Sequence, residues 1–342
     1  LANKKVVVGV LGGGQLGRMM AMAAHNLGDV VVLPLDPSGA ASPAGQVCNG
    51  DGFSADAQRP TSILGSFKDA AKIRELAAHC DVLTVEIEHV NCDVLDELVA
   101  EGKPVRPSPG VIRIIQDKFV QKEHFAKHGV SLGQFVGVPD ASALPGVGEA
   151  LGFPYMLKAR KGAYDGKGNA VVASASEAAA AFESLGGNDA SFGGCYAEKW
   201  CPYVKELAVM VVRTIDGTCM AYPVVEFTAR NNVCHTTFCP ARVSPAQRLL
   251  AQETASQAVS CLPEGAVGVF GVEMFALEDG SILLNEIAPR PHNSGHYTIE
   301  ACHCSQFESH LRAVAGGHVP SPGDVSHRVG ASIMINILGR NG

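Results

Sequence analysis

Two glutamates within residues 268–296 are the groups best placed for ionic chemistry. Residues 268–277 and 281–288 are β-rich runs joined at Asp279-Gly280, a dipeptide that favours a two-residue type I′ hairpin turn. Such a turn pairs Leu277 with Ile282, Phe275 with Leu284 and Glu273 with Glu286. Two carboxylates then face each other with Cβ atoms roughly 5 Å apart. Like charges so placed repel unless a cation lies between them. Mg²⁺ is the natural occupant, because one or two protein carboxylates commonly hold it while phosphate and water oxygens complete its shell. On spacing alone a solvated glutamate pair is the alternative.

Phosphate chemistry needs donors as well as a cation, and two stretches offer them. Residues 153–158 form an apolar strand ending in Lys158, followed by Lys161-Gly162-Ala163-Tyr164-Asp165-Gly166-Lys167-Gly168-Asn169. A strand lysine with a glycine-rich, lysine-bearing loop suits a lid that wraps N–H groups and ammonium charge around phosphates. Near the N-terminus, the strand 5–11 runs into Gly12-Gly13-Gly14-Gln15-Leu16-Gly17 and a helix over 18–27. This G-x-G-x-x-G brings backbone close to a phosphate at a helix N-terminus. With Asp36 ending the strand 30–35, it also fits a dinucleotide-binding oxidoreductase.

Further acids end strands. The strand 80–85 leads into Glu86 and Glu88, which either face the crevice at the C-terminal edge of an α/β sheet or cap a helix near Asp93. Glu198, in Glu198-Lys199-Trp200, and Glu206, at the start of a strand over 205–212, are placed to accept from a purine amine and ribose hydroxyls, or are surface acids. Asn293, Ser294 and His296 form a polar turn that either holds a second substrate or caps a helix over 297–315.

The elements that position these groups divide the chain. Its 342 residues exceed one ordinary core. The expected units are 1–110, a connecting helix within 111–129, a small α+β unit over 130–197 with a helix at 176–185, and 198–342. The predicted helices also include 68–79 and one continuous amphipathic helix over 111–127, and residues 56–66 read as a surface loop. Apolar content of 46% and a formal charge of −7 describe a globular chain with no electrostatic case for nucleic acid. No run reaches the length of a membrane span and no signal-peptide pattern is present, so the cytosol is the expected compartment. The eleven cysteines form no C-x-x-C pair, and even Cys302-His303-Cys304 reads as reduced thiols.

Taken together, GGGQLGRM, TVEIEH, QDK, AYDGKGN, AEKW, the strand glutamates in VEMF and NEIAPR, and APRPHNSGH resemble the ATP-grasp superfamily, and within it the 5-(carboxyamino)imidazole ribonucleotide synthases. The resemblance runs from about Val6 to Gly339. It implies an α/β and α+β ATP-grasp fold: a Rossmann-like N-terminal domain, a small lid and a C-terminal mixed-sheet domain. That last domain is expected to be incomplete, since the family's basic R-P-G-R-K-x-G-H motif would follow the last residue, Gly342. The implied activity is carboxylation of the amine of 5-aminoimidazole ribonucleotide with ATP and bicarbonate, through carboxyphosphate, in purine biosynthesis.

By the same resemblance, Lys118 and Lys158 contact ATP phosphates beneath a loop of Ala163, Tyr164, Asp165, Gly166, Lys167, Gly168 and Asn169. Glu198 with the backbone of Lys199 and Trp200 reads adenine, Glu206 binds ribose, and Asn285 adjoins the nucleotide. Glu273 and Glu286 hold Mg²⁺. Gly14, Gln15 and Leu16 take the ribonucleotide phosphate, while Glu86, Arg290, Asn293, Ser294 and His296 line the second substrate's space. Asp165, Tyr164, Lys167 and Glu86 are the implied catalytic groups, with Asp165 orienting or deprotonating the amine. Lys167 stands where arginine is usual, replacing a bidentate contact by a point charge, and Ala229 stands where many relatives carry histidine. The implied partners are small molecules, a second copy in a homodimer, and a fused or coupled carboxyaminoimidazole ribonucleotide mutase domain. Rivals are another ATP-grasp carboxylase or ligase, the oxidoreductase, and a nucleotide-binding fragment without turnover.

Overall fold

A computed structural model describes residues 5–49, 60–162, 168–189, 193–230, 233–316 and 321–337. The loop residues Ala163 to Lys167 lie outside them, as does part of the expected loop over 56–66.

The N-terminal unit is a parallel sheet of β1 (Val6–Leu11), β2 (Val30–Asp36), β3 (Ile63–Leu64) and β4 (Val82–Val85), in the order β3-β2-β1-β4. β1, β2 and β4 are near-continuous apolar runs because helices cover both faces. These are α1 (Gln15–Leu27), α2 (Pro43–Cys48), α3 (Ala70–Ala78) and α4 (Cys92–Ala100). Asn91 caps α4 through its side chain, so neither Glu86 nor Glu88 serves as that cap.

The expected helix over 111–127 is two helices, α5 (Pro109–Gln116) and α6 (Lys118–Lys127). They break at Asp117, which leaves helical geometry at φ −103°, ψ 105° and turns its carboxylate onto the N–H groups of Phe119 and Val120. An aspartate that can cap competes with the helix interior.

The small unit is an antiparallel sheet of β5 (Phe135–Val138), β6 (Tyr155–Ala159), β7 (Asn169–Val172) and β8 (Cys195–Lys199), ordered β5-β8-β6-β7. Its own core, including Leu157, Phe182 and Ala197, packs it against α7 (Leu144–Leu151) and α8 (Ala178–Ser184).

The third unit is a seven-stranded antiparallel sheet. It contains β9 (Lys205–Arg213), β10 (Cys219–Ala221), β11 (Val225–Arg230), β12 (Val233–Cys239), β13 (Gly268–Ala276), β14 (Ile282–Ala288) and β15 (Ser332–Ile335). The main path runs β14-β13-β9-β11-β12-β15, with β10 on β9. One face buries Val209, Phe270, Val272 and Leu284 against α9 (Pro245–Ser260). The helix expected over 297–315 is α10 (Thr298–Ala301) and α11 (Gln306–Ala315), separated at Cys302-His303-Cys304 because Ser305 and Glu308 form a capping box that starts α11 afresh. Neither Asn293 nor Ser294 caps α10, whose N-cap is Tyr297 without a side-chain bond; both lie in a 3₁₀ turn, Asn293–Gly295, capped by His292. All eleven cysteines are free. Among the described residues no helix is long and apolar enough to cross a membrane.

The β13–β14 hairpin corrects the expected turn yet keeps the key pair. Leu277 and Ser281 close a three-residue loop through Leu277 N to Ser281 O at 2.9 Å and Gly280 N to Leu277 O at 3.1 Å. Gly280 supplies the positive φ of 92° that such a loop requires. The pairs are consequently Phe275 with Leu283 and Ala276 with Ile282, one residue off the expected register. A bulge between Met274 and Glu273 then restores it, and Glu273 faces Glu286. Asn285 is the extra residue. Strict alternation would bury it on the opposite side from Glu286, whereas the bulge turns both toward the same cavity.

Candidate active site

The cavity, of about 290 Å³, lies between the small sheet and the open face of the large one. Period-two alternation delivers its walls. On β6 and β8, Met156 pairs with Glu198 and Lys158 with Tyr196, which puts all four on one sheet face. On the large sheet, Glu206 and Ala208 of β9 stand beside Phe275 and Glu273 of β13. The large sheet therefore contributes the acids Glu206 and Glu273, and the small sheet contributes Lys158 across from them.

Lys118 opens α6 and reaches Glu286 with Nζ to Oε2 at 2.9 Å. One turn on, the buried Lys122 lies 3.0 Å from Glu198, whose other oxygen takes Lys158 at 3.0 Å. Lys158 also points to Asn285 Oδ1 at 3.5 Å. Burial opposes the charge on Glu198, but Lys122 and Lys158 outweigh it and hold that carboxyl at about 2. Each Glu198 oxygen thus lies 3.0 Å from an ammonium group, with Lys158 donating a hydrogen bond to Oε2.

Glu273 meets the reverse balance. Burial, then the charges of Glu286 and Glu206, push its carboxyl up, while Lys118 holds Glu286 down against its burial. His292 Nε2 approaches Glu273 at 3.4 Å, and its Nδ1 accepts from Ser294 N and faces Ser294 Oγ at 2.8 Å. Burial and the neighbouring Arg290 lower His292 to about 3, leaving it neutral. Gly271 makes this approach possible, since a Cβ there would lie 2.5 Å from that of His292. Glu273, Glu286 and the Asn285 amide form an all-oxygen donor set, and the raised Glu273 carboxyl is the electrostatic strain a divalent cation relieves. These residues fit Mg²⁺.

At the edge nearest the N-terminal sheet, Arg290 Nε donates to Glu88 Oε2 at 3.1 Å. Burial is overcome by Arg290 and Lys118, and Glu88 is held at about 2. Glu86 points the other way, into the glycine loop. Its Oε1 accepts from Gly17 N at 3.4 Å, and a Cβ on Gly12 or Gly14 would fall within 2.8 Å of its carboxylate oxygens. Burial raises Glu86 to about 7 despite Arg290 and the Gly17 and Leu16 N–H groups. The anion position at the start of α1 is therefore filled by the protein's own carboxyl. Asp36 is likewise engaged, accepting from Gly13 N at 3.0 Å and Ser38 N at 2.8 Å.

The cavity thus gathers Lys118, Lys158, Gly168, Asn169, Glu206, Glu273, Asn285, Glu286, Arg290 and Asn293 from the expected set, and Ala229. Gly14, Gln15, Leu16 and Glu86 lie apart from its wall, at the glycine loop. Lys199 and Trp200 are exposed, and Ser294 and His296 are buried beneath, His296 stacking on Phe307 at 5.8 Å. Ala163, Tyr164, Asp165, Gly166 and Lys167 lie outside the described residues. Sequence reasoning missed Lys122 and His292. Lys122 carried a signal, four residues after Lys118 and so on the same helix face.

Family models match in the same arrangement: a ribonucleotide synthetase preATP-grasp domain over residues 5–116 and an ATP-grasp domain over 123–307. The N5-carboxyaminoimidazole ribonucleotide synthase of Bacillus subtilis is 36% identical over 97% of this chain and 81% of its own length. The chain belongs to the N5-carboxyaminoimidazole ribonucleotide synthase family of ATP-grasp proteins. Synthases of this family from Aspergillus clavatus have been solved with ATP (44% identity, TM-score 0.85, 98% of this chain and 83% of that one) and with ADP and 5-aminoimidazole ribonucleotide (43%, 0.86, 100% and 84%). The phosphoribosylaminoimidazole carboxylase of Ogataea methanolica is 49% identical over 97% of this chain but 58% of its own length. The chain spans a little over half the length of such carboxylases. The oxidoreductase reading of the glycine loop falls with the family assignment.

Proposed function

We propose that this chain uses ATP and bicarbonate to carboxylate the exocyclic amine of 5-aminoimidazole ribonucleotide, through carboxyphosphate, in purine biosynthesis. The observation that carries the reading is the convergence of Glu273, Asn285 and Glu286 with Lys118 and Lys158 in one cavity under a small sheet. Mg²⁺ held by Glu273 and Glu286 would neutralise charge on the phosphate oxygens. Lys118 and Lys158 bind the phosphates, and Lys122 and Glu198 hold Lys158 in place. Because both Glu198 oxygens face lysines, adenine recognition falls to the backbone at Lys199 and Trp200, with Glu206 toward the ribose. The loop from Ala163 to Asn169 closes over the nucleotide and excludes water, which would hydrolyse carboxyphosphate. Asp165 orients the amine, and Arg290 and Asn293 hold the ribonucleotide beside the phosphates. Catalysis in this scheme is positioning and charge neutralisation.

The same reading takes a second copy of the chain and a mutase module, in the same polypeptide or separate, as partners, and the cytosol as compartment. The test is ADP release from ATP, Mg²⁺ and bicarbonate with and without 5-aminoimidazole ribonucleotide. Stimulation by the ribonucleotide, with one carboxylated product per ADP, is the expected result. ATP turnover indifferent to the ribonucleotide would overturn the substrate assignment and leave another ATP-grasp carboxylase or ligase.

A further inference from the structure

The far end of α6 and the end of α9 bring together His124, His128 and Cys261, whose donor atoms lie within 4.8 Å of one another. The two histidines are four residues apart, so the helix and its cap present both rings on one side, with centroids 4.4 Å apart. Cys261 is the C-cap of α9, and its Sγ is 4.0 Å from His124 Nε2. His128 Nδ1 lies 2.8 Å from the His124 carbonyl, to which it can only donate. That bond fixes the proton on Nδ1 and leaves the Nε2 lone pair free, the arrangement metal-bound histidines use. None of the three residues lines the nucleotide cavity.

We propose that His124, His128 and Cys261 form a Zn²⁺ site with three protein ligands and one water. Imidazole and thiolate donors suit Zn²⁺ and exclude the Mg²⁺ expected between Glu273 and Glu286. Ligands at roughly 2.0–2.3 Å from a tetrahedral ion stand about 3.3–3.8 Å from one another. The His124–Cys261 pair is close to that spacing already, and the exposed His128 gives the ion an entry path. On binding, Cys261 loses its thiol proton to solvent. His124 moves its proton from Nε2 to Nδ1 and gives up the 3.1 Å bond to the Cys261 carbonyl. One proton is released per ion. The site ties α6 to α9, and α6 is the helix that begins with Lys118 and carries Lys122.

The test titrates the metal-free 342-residue chain with Zn²⁺ against a chromogenic chelator, and with Co²⁺, whose thiolate complexes show a charge-transfer band. The expected results are one tight equivalent, the Co²⁺ band, and one proton released per ion. His128→Ala, at an exposed position that leaves the core intact, should weaken Zn²⁺ by more than the roughly 10- to 100-fold lost with an outer partner. Cys261→Ser should abolish the band, and Cys219→Ser should leave it. Unchanged affinity in His128→Ala and Cys261→Ser, a band that depends on Cys219, or no stoichiometric binding by the folded parent chain would each overturn the site.

Discussion

Glu273 is the residue on which the proposed cation site depends, because burial and the charges of Glu286 and Glu206 push its carboxyl up. Glu273→Gln removes a ligand and the repulsion together, so the fold should be unharmed. Mg²⁺-dependent ATP binding, read by calorimetry, is expected to fall at least tenfold, which corresponds to about 1.4 kcal/mol. Retained affinity would remove the cation from this position. Glu86 makes a second prediction. Its carboxyl is raised to about 7 and occupies the N–H groups that a ribonucleotide phosphate would take. Below pH 7 it is neutral and yields, and above it a second anion is repelled. KM for the ribonucleotide should rise between pH 6.5 and 8 in the parent chain and stay flat in Glu86→Gln; parallel profiles would place the phosphate elsewhere.

At the scale of elements, the break between α5 and α6 is what couples the small sheet to the cavity. Asp117 caps α6 and also takes Arg160, at the end of β6, through two bonds of 3.0 and 2.8 Å, while Lys118 N donates to Arg160 O at 2.9 Å. Asn caps as well as Asp, so Asp117→Asn isolates the ion pair. It should cost roughly 1–3 kcal/mol in denaturant unfolding and raise KM for ATP; a loss of stability without any change in KM would make the pair purely structural. Sequence periodicity could find α6 but not its start, since a capping aspartate looks like any polar helix position until its neighbours are known. The hairpin is more instructive. Asp279-Gly280 signalled a turn correctly, but loop length and bulge were each misjudged by one residue in opposite senses, and the glutamates paired regardless. Position at strand ends made Lys158 and Glu206 legible, and hairpin pairing did so for Glu273 and Glu286. His292 was not, because its access depends on an absent side chain at Gly271, a contact between elements distant in sequence.

For the whole molecule, the decisive contact is His310 on α11. Its Nδ1 accepts from Val269 N at 3.0 Å, which leaves the proton on Nε2 to donate to Thr84 Oγ1 at 2.9 Å. One buried imidazole thereby joins the large sheet to the N-terminal sheet. Burial lowers His310 to about 3, whereas the unfolded chain binds a proton near the ordinary histidine value. Its contribution is complete above about pH 6.5 and is lost as pH falls toward 3, by up to about 1.4 kcal/mol per pH unit. His310→Gln keeps a donor for Thr84 without titrating. Unfolding free energy measured from pH 7 to pH 5 should fall less steeply in the variant than in the parent, and identical slopes would deny His310 its role. The same contact limits how the molecule can move. α11 is buried against both larger sheets, so the two share one packed core across it. If the proposed nucleotide cleft opens and shuts, the movement is expected to fall to the β5–β8 unit, which has a core of its own.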